Sequence, residues 1–227
     1  MGNKSHSSSK PLTEKEIIEE QQKNKICKIY MYLRGQLCGI ANGFFCLIPY
    51  PDQDHLIPAL ITANRCINEQ LLTENKEIKI TLNNDKKKLS IKINNDRKIY
   101  TSKEHDTTII EIKPKEDKIH DYFELDDNLL KDNLNDIYNQ SKIYFVCYGK
   151  DNKMDMYNGT IKEIEGKEIH HISDLISGSG GCPILSPSTY KVIGLHLGRT
   201  NQEHKRGILM NIPLKEFISG EKFLKLS

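Results

Sequence analysis

The chain of 227 residues is 28% charged and 37% hydrophobic, with a formal net charge of +2; that length fits one large domain or two small ones packed closely together. The near-neutral balance excludes a dedicated nucleic-acid binder, which carries a basic excess, and no apolar run approaches the roughly 18 residues of a membrane span or follows the N-terminus as a secretory leader. Six cysteines without a CxxC pair point to reduced thiols rather than disulfides or structural zinc, so a cytoplasmic protein without a metal or other cofactor is expected.

Residues 1–12 are rich in Ser and Lys without periodicity and read as a disordered tail. They open Met-Gly-Asn-Lys-Ser-His, close to a signal for myristoylation of Gly2. His6 stands where that signal takes Ser or Thr, and a single acyl chain would anchor only reversibly. Thr13 and Glu16 fit a capping box ahead of Ile17-Ile18, which places a short helix within 13–25. From Ile26 onward, runs rich in Ile, Tyr, Phe and Val recur about every ten residues, bounded by Asn-Asp, Asn-Gly or Gly signals. Strands are predicted at 26–33, 43–50, 56–63, 77–82, 89–93, 98–100 and 107–112. A second series follows at 142–149, 154–163, 167–172, 182–186, 190–197 and 206–212. Many short strands at this spacing argue for an all-β architecture. Asn83-Asn84-Asp85 and Asn94-Asn95-Asp96 read as two turns of one meander, where Asn and Asp tolerate left-handed geometry, and Lys86-Lys87-Lys88 as a solvated hairpin tip. Acidic residues 113–140 form a connector, and Pro213 begins a C-terminal helix over 214–227. The expected layout is two six-stranded antiparallel β-barrels, at 26–112 and 141–213.

Three segments carry the chemistry. The first is Gly43-Phe44-Phe45-Cys46 followed by Leu60-Ile61-Thr62-Ala63-Asn64-Arg65-Cys66. The second is Asp106-Thr107-Thr108-Ile109-Ile110-Glu111-Ile112. The third is Gly178-Ser179-Gly180-Gly181-Cys182-Pro183-Ile184-Leu185, with Lys191-Val192-Ile193-Gly194-Leu195-His196-Leu197-Gly198 after it. In order and spacing these resemble the trypsin-like (chymotrypsin-fold) serine proteases, in particular intracellular trypsin-like peptidase domains, over about 26–217. The resemblance implies two barrels, with a general base at the end of the first motif and an orienting aspartate opening the second. It further implies a nucleophilic serine ahead of Gly-Gly-Pro in the third, with the glycine turn as oxyanion loop.

Two of the three triad positions depart from that pattern. Arg65 stands in place of the histidine, and counting back from Pro183 without a gap puts Gly180 at the nucleophile. Only Asp106 matches. Arginine stays protonated and has no lone pair to accept a proton, and glycine has nothing to attack with, so a pseudoprotease is the main expectation. The alternative is an active endopeptidase. A one-residue insertion before Pro183 would make Ser179 the nucleophile, with a base drawn from His105, His170 or His171, although His105 on a strand would face away from Asp106. A third reading is a structural scaffold.

Cys182, two residues past the nucleophile position, reads as buried packing rather than a thiol nucleophile. Cys46, Cys66 and Cys147 read as core, and Cys38 as an exposed thiol. His196, between Gly194 and Gly198, corresponds under the resemblance to the wall of the specificity pocket; a packed strand histidine is the plain alternative. A buried Asp106 without the histidine needs a new donor. Arg65, one of only five arginines among 33 basic residues, supplies a two-pronged fork, so an Arg65–Asp106 ion pair is predicted. The oxyanion turn Gly178-Ser179-Gly180, enriched in glycine, is left free to collapse. The partner expected is a protein or an extended peptide added along strand 190–198, with no nucleic acid, and a membrane only if Gly2 is acylated.

Overall fold

The computed structural model describes residues 13–149, 151, 153–199 and 205–226; Gly2 and the rest of the N-terminal tail lie outside them. Helix α1 (Glu14–Gln22) opens with the predicted capping box. The Thr13 side chain accepts from the Glu16 N–H, and the Glu16 carboxylate accepts from the Thr13 N–H at 2.7 Å. Two free N–H groups of the first turn are thereby satisfied.

Seven strands follow: β1 (Ile26–Leu33), β2 (Gln36–Pro49), β3 (Leu56–Ala63), β4 (Glu77–Leu82), β5 (Lys87–Lys92), β6 (Ile99–Ser102) and β7 (Thr107–Glu111). A short helix α2 (Glu69–Glu74), capped by the Asn68 side chain, separates β3 from β4. These strands form one antiparallel sheet in the order β5-β4-β1-β2-β3-β7-β6. The second half contains β8 (Lys142–Tyr148), β9 (Met154–Glu165), β10 (Glu168–Ser173), β11 (Pro183–Leu185), β12 (Val192–Arg199) and β13 (Lys205–Leu209). Those six close into a barrel in the order β10-β13-β12-β11-β8-β9. Between the halves run α3 (Pro114–Asp117) and α4 (Leu134–Tyr138), and α5 (Asn211–Ser219) follows the last strand. The C-terminal helix therefore starts and ends earlier than 214–227, with Pro213 inside its first turn.

One expectation needs correction. The architecture is mainly β, but only the second half is a closed six-stranded barrel; the first is a seven-stranded sheet whose end strands β5 and β6 share no ladder. The outer edge of β6 is taken by the C-terminal segment instead: Tyr100 bridges Phe223 and the Leu224 N–H donates to the Ile99 carbonyl. Ahead of β6, Arg97, 4% exposed, makes a two-pronged pair with Asp117 of α3 at 2.7 and 3.0 Å and donates to the Glu111 carbonyl. Asp117 also accepts the Lys113 N–H. On the other edge α3 lies against β5. Asn94-Asn95-Asp96 is accordingly no meander turn but part of the crossing from one sheet edge to the other. Asn83-Asn84-Asp85, by contrast, is a tight turn with all three residues at positive φ.

Two apolar cores form. One is confined to the sheet (Ile29, Phe45, Leu60, Ile80, Ile91, Ile110), and the other runs from the sheet through the barrel (Phe44, Ile61, Phe123, Phe145, Ile184, Leu195). Polar ties cross the boundary as well. Lys28, 1% exposed, gives its ammonium to Asp85 at 2.5 Å and lies over the Tyr148 ring of β8. The Tyr148 hydroxyl accepts the Asn84 N–H, and Asn84 accepts the Met154 N–H. A buried ammonium is tolerable only with such a partner, so this turn fastens the barrel to the sheet. Among the described residues no helix is long and apolar enough to cross a membrane.

Candidate functional site

β3 and β7 are paired with Ala63 opposite Thr107, which brings the turn after β3 beside the turn before β7. The Asn64 N–H donates to the Asp106 carbonyl at 3.0 Å, and the Asn64 amide donates to the Thr108 hydroxyl. Asp106 sits at φ 44°, a left-handed conformation Asp accepts more readily than most residues. Its carboxylate turns onto Arg65. One oxygen accepts the Arg65 backbone N–H at 2.9 Å; the other accepts Nε at 2.5 Å and also meets Nη2. The predicted pair is present. The carboxylate side chain is 13% exposed and the arginine 50%, so the acid is sheltered and the base half in solvent. Nη1 makes no hydrogen bond among the described residues and faces Gly198.

The glycine turn between β10 and β11 is held from across the boundary by Asn42 of β2, which is 2% exposed. Its side-chain amide donates to the carbonyls of Gly178 (3.1 Å) and Tyr148 (3.3 Å), and its side-chain oxygen accepts the Tyr148 N–H (2.7 Å). Its backbone N–H donates to the Gly180 carbonyl, while its own carbonyl accepts the Thr62 hydroxyl. The apolar pattern predicts a strand only from Gly43, so it does not mark out this hub; the signal for it is an amide placed directly ahead of Gly43-Phe44-Phe45-Cys46. Gly181, at φ 91°, comes so close that a Cβ there would stand 2.1 Å from the Asn42 carbonyl oxygen. No other residue fits. Gly180 is different: a Cβ there would find the Leu197 carbonyl at 3.7 Å and nothing nearer. Ser179 is 3% exposed, and its hydroxyl donates to the Ile176 carbonyl at 2.8 Å. The N–H groups of Gly178 and Gly180 donate to no group among the described residues, so the turn has not folded in upon its own donors.

β12 continues the site. On the β11 side its ladder ends at Leu195. His196 then bonds the glycine turn, accepting the Gly181 N–H and donating to the Cys182 carbonyl, each at 2.9 Å. The stretch 190–198 is therefore not an open edge over its length; on that side residues 197–199 have no partner strand among the described residues. The His196 ring is 1% exposed and turned into the barrel. Its Nδ1 lies 3.2 Å from His171 Nε2, and the Phe145 ring packs on both imidazoles. Burial lowers both histidines, His171 to about 3, with Lys205 adding to the effect. Burial thus favours the neutral form of both rings, and a hydrogen bond between the two nitrogens takes one of them as donor and the other as acceptor. Gly194 is deeper still, where a Cβ would meet the Ile208 carbonyl and Ile169, while Gly198, at φ 129°, stands at the open end beside Arg65.

The other two histidines considered as bases lie elsewhere. His105 is in the turn before β7, 4% exposed, with its ring between Lys167 and Glu216, away from Asp106 as expected, though on a turn rather than a strand. His170 lies near Glu165. All six cysteines are free thiols; Cys38 is exposed and the others are buried. Burial pushes the Cys182 thiol well above its usual value, which leaves it without thiolate character.

Among known proteins, no family model and no curated protein matches the sequence. Solved structures do match the fold. A serine endoprotease from Yersinia pestis superposes with a TM-score of 0.63 at 10% identity, over 92% of this chain and 68% of that one. Rv3671c from M. tuberculosis, an inactive serine-to-alanine mutant, gives 0.60 at 12% identity over 90% and 91%. Deg5 gives 0.60 at 14% identity over 88% and 90%. The chain thus has the fold of trypsin-like serine proteases.

Proposed function

We propose that the chain is a catalytically inactive homologue of the trypsin-like serine proteases that serves as a peptide- or protein-binding or regulatory module. The observation that carries this reading is the Arg65–Asp106 pair. The carboxylate that would orient an imidazole is occupied by a guanidinium, which can neither accept a proton nor release one near neutral pH. Gly180 supplies no attacking oxygen. Ser179, the alternative nucleophile, has its hydroxyl committed to a backbone carbonyl and is nearly buried, with no imidazole hydrogen-bonded to it among the described residues. Attack by serine needs a base in contact with the hydroxyl. The open end of β12 beside Arg65 and the glycine turn offers backbone groups to an extended ligand, which supports a binding role.

A fluorophosphonate probe tests the reading on the full chain. No covalent labelling is expected, while the double variant Arg65→His/Gly180→Ser, in which both substituted positions regain the residues of the resemblance, gains labelling. Labelling of the unmodified chain that disappears in Ser179→Ala would overturn the proposal in favour of an active endopeptidase.

A further inference from the structure

Three features meet at the open end of β12. Arg65 Nη1 lies 3.9 Å from where a Gly198 Cβ would stand, and it has no hydrogen-bond partner among the described residues. Gly180 leaves open space bounded first by the Leu197 carbonyl, one residue before Gly198. The Gly178 and Gly180 N–H groups are unpaired among the described residues, on a turn in which residues at positive φ (Gly178 at 94° and Gly181 at 91°) flank Ser179 and Gly180. Unpaired backbone N–H groups on a tight turn are donors an anion can use.

The electrostatics agree. Asp106 is already matched by Nε and Nη2 of Arg65, which leaves Nη1 as a donor without an acceptor among the described residues. Arg199 and Lys205 add positive charge around the end of β12 and β13, and both raise the cost of a further cation there. Asp174, whose carboxylate accepts the Asn158 N–H, opposes Lys205 among the described residues. An internal peptide amide would bring one neutral carbonyl oxygen to this place. A carboxylate would bring two charged oxygens, one for Arg65 Nη1 and one for the turn, and such charge-assisted contacts are about twice as strong as neutral ones.

Resting on the peptide-binding reading above, we propose that the groove recognises the free C-terminal carboxylate of an extended peptide, held between Arg65 Nη1 and the Gly178–Gly180 turn at the end of β12. In this arrangement the position of the missing nucleophile is filled by the ligand's own terminus, and the side chain of the last residue lies along Leu197–Arg199.

The test uses the full chain, immobilised, and two N-acetylated hexapeptide pools randomised at every position, one ending in a free acid and one in an amide. Retained peptides are read by mass spectrometry. The free-acid pool is expected to be retained about tenfold or more over the amide pool. That preference should fall to about one in Arg65→Met and be partly restored in Arg65→Lys. Equal retention of acid and amide by the unmodified chain overturns the carboxylate assignment while leaving peptide binding in place. Retention of amide peptides selected for Asp or Glu overturns it in favour of an acidic side chain. Retention of neither pool overturns both readings. The acid-to-amide comparison needs no variant, so loss of folding in Arg65→Met would not remove the test.

Discussion

The Arg65–Asp106 pair makes an asymmetric prediction, because its two members differ in exposure: 50% for the arginine side chain and 13% for the aspartate. Arg65→Met removes the guanidinium but keeps the backbone N–H that donates to Asp106 at 2.9 Å. A sheltered carboxylate is then left with one donor where it had three, and losing charge-assisted partners from a partly buried acid costs about 1–2 kcal/mol. Asp106→Asn preserves an oxygen for the same N–H and a residue type that tolerates φ 44°, while the released guanidinium can turn to water; that change costs about 1 kcal/mol or less. In the double variant neither charge is stranded, so the losses do not add, and a coupling near 1 kcal/mol is expected, between the values for exposed and buried pairs. Urea unfolding of the four proteins measures the cycle. For a chain of this size each kcal/mol also moves the melting temperature by roughly 2–4 °C. Raising salt to about 1 M should shrink the coupling, since the arginine is half in solvent. Coupling below about 0.3 kcal/mol, the range expected of independent sites, would refute the claim that the two side chains act as one unit.

Two further outcomes follow from the same geometry. Because burial lowers His171 to about 3 and His196 in the same direction, the folded state binds fewer protons than the unfolded state below the ordinary histidine value of about 6.5. Stability should therefore fall as pH drops from about 7 to about 5, by up to about 1.4 kcal/mol per pH unit for each such group. His171→Leu should flatten that slope in urea titrations, and an unchanged slope would count against a buried neutral imidazole. At the glycine turn, Gly181→Ala would force a Cβ to 2.1 Å from the Asn42 carbonyl oxygen at φ 91°, whereas Gly180→Ala has 3.7 Å to its nearest neighbour. Thermal melts should show the first losing about 3 kcal/mol or more and the second changing little; equal melting temperatures would contradict the described approach of sheet and turn.

Much of the fold can be read directly from apolar periodicity. Predicted strands 26–33, 56–63 and 77–82 coincide with β1, β3 and β4, because half-buried strands bounded by Asn, Asp and Gly are what alternation and turn chemistry describe best. The misreadings share a cause. The first half of β2, Gln36–Asn42, is mostly exposed up to Ile40 and interrupted by Gly39, and it becomes a strand by pairing with β1; the information lies in the partner, not in the segment. Closure of the sheet is likewise absent from any local pattern. It depends on whether β5 reaches β6, and the edge of β6 is taken instead by Phe223 and Leu224, more than 120 residues further along the chain. At the site, Arg65 and Asp106 were legible because residue chemistry narrows the options for a sheltered carboxylate. The His171–His196 contact was not. It requires His171 opposite Lys205 and His196 opposite Gly207, two registers that no single segment specifies.

The arrangement separates what the fold needs from what hydrolysis would need. Gly181 is fixed by the nearness of Asn42 across the seam between sheet and barrel, whereas Asp106 and the donors that converge on it, from Asn64 and Arg65, lie on the sheet side. Gly180 carries no such constraint, since a side chain there would meet nothing closer than the Leu197 carbonyl at 3.7 Å. A hydroxymethyl group would fit without moving the backbone. Arg65, half exposed, is also replaceable in steric terms. Relative to the resemblance, the difference at positions 65 and 180 is therefore one of two side chains, and the turn keeps N–H groups unpaired among the described residues. On the proposed reading such a groove holds a peptide without cutting it, because binding draws on backbone geometry and charge, whereas bond cleavage also requires a proton acceptor in contact with a nucleophile.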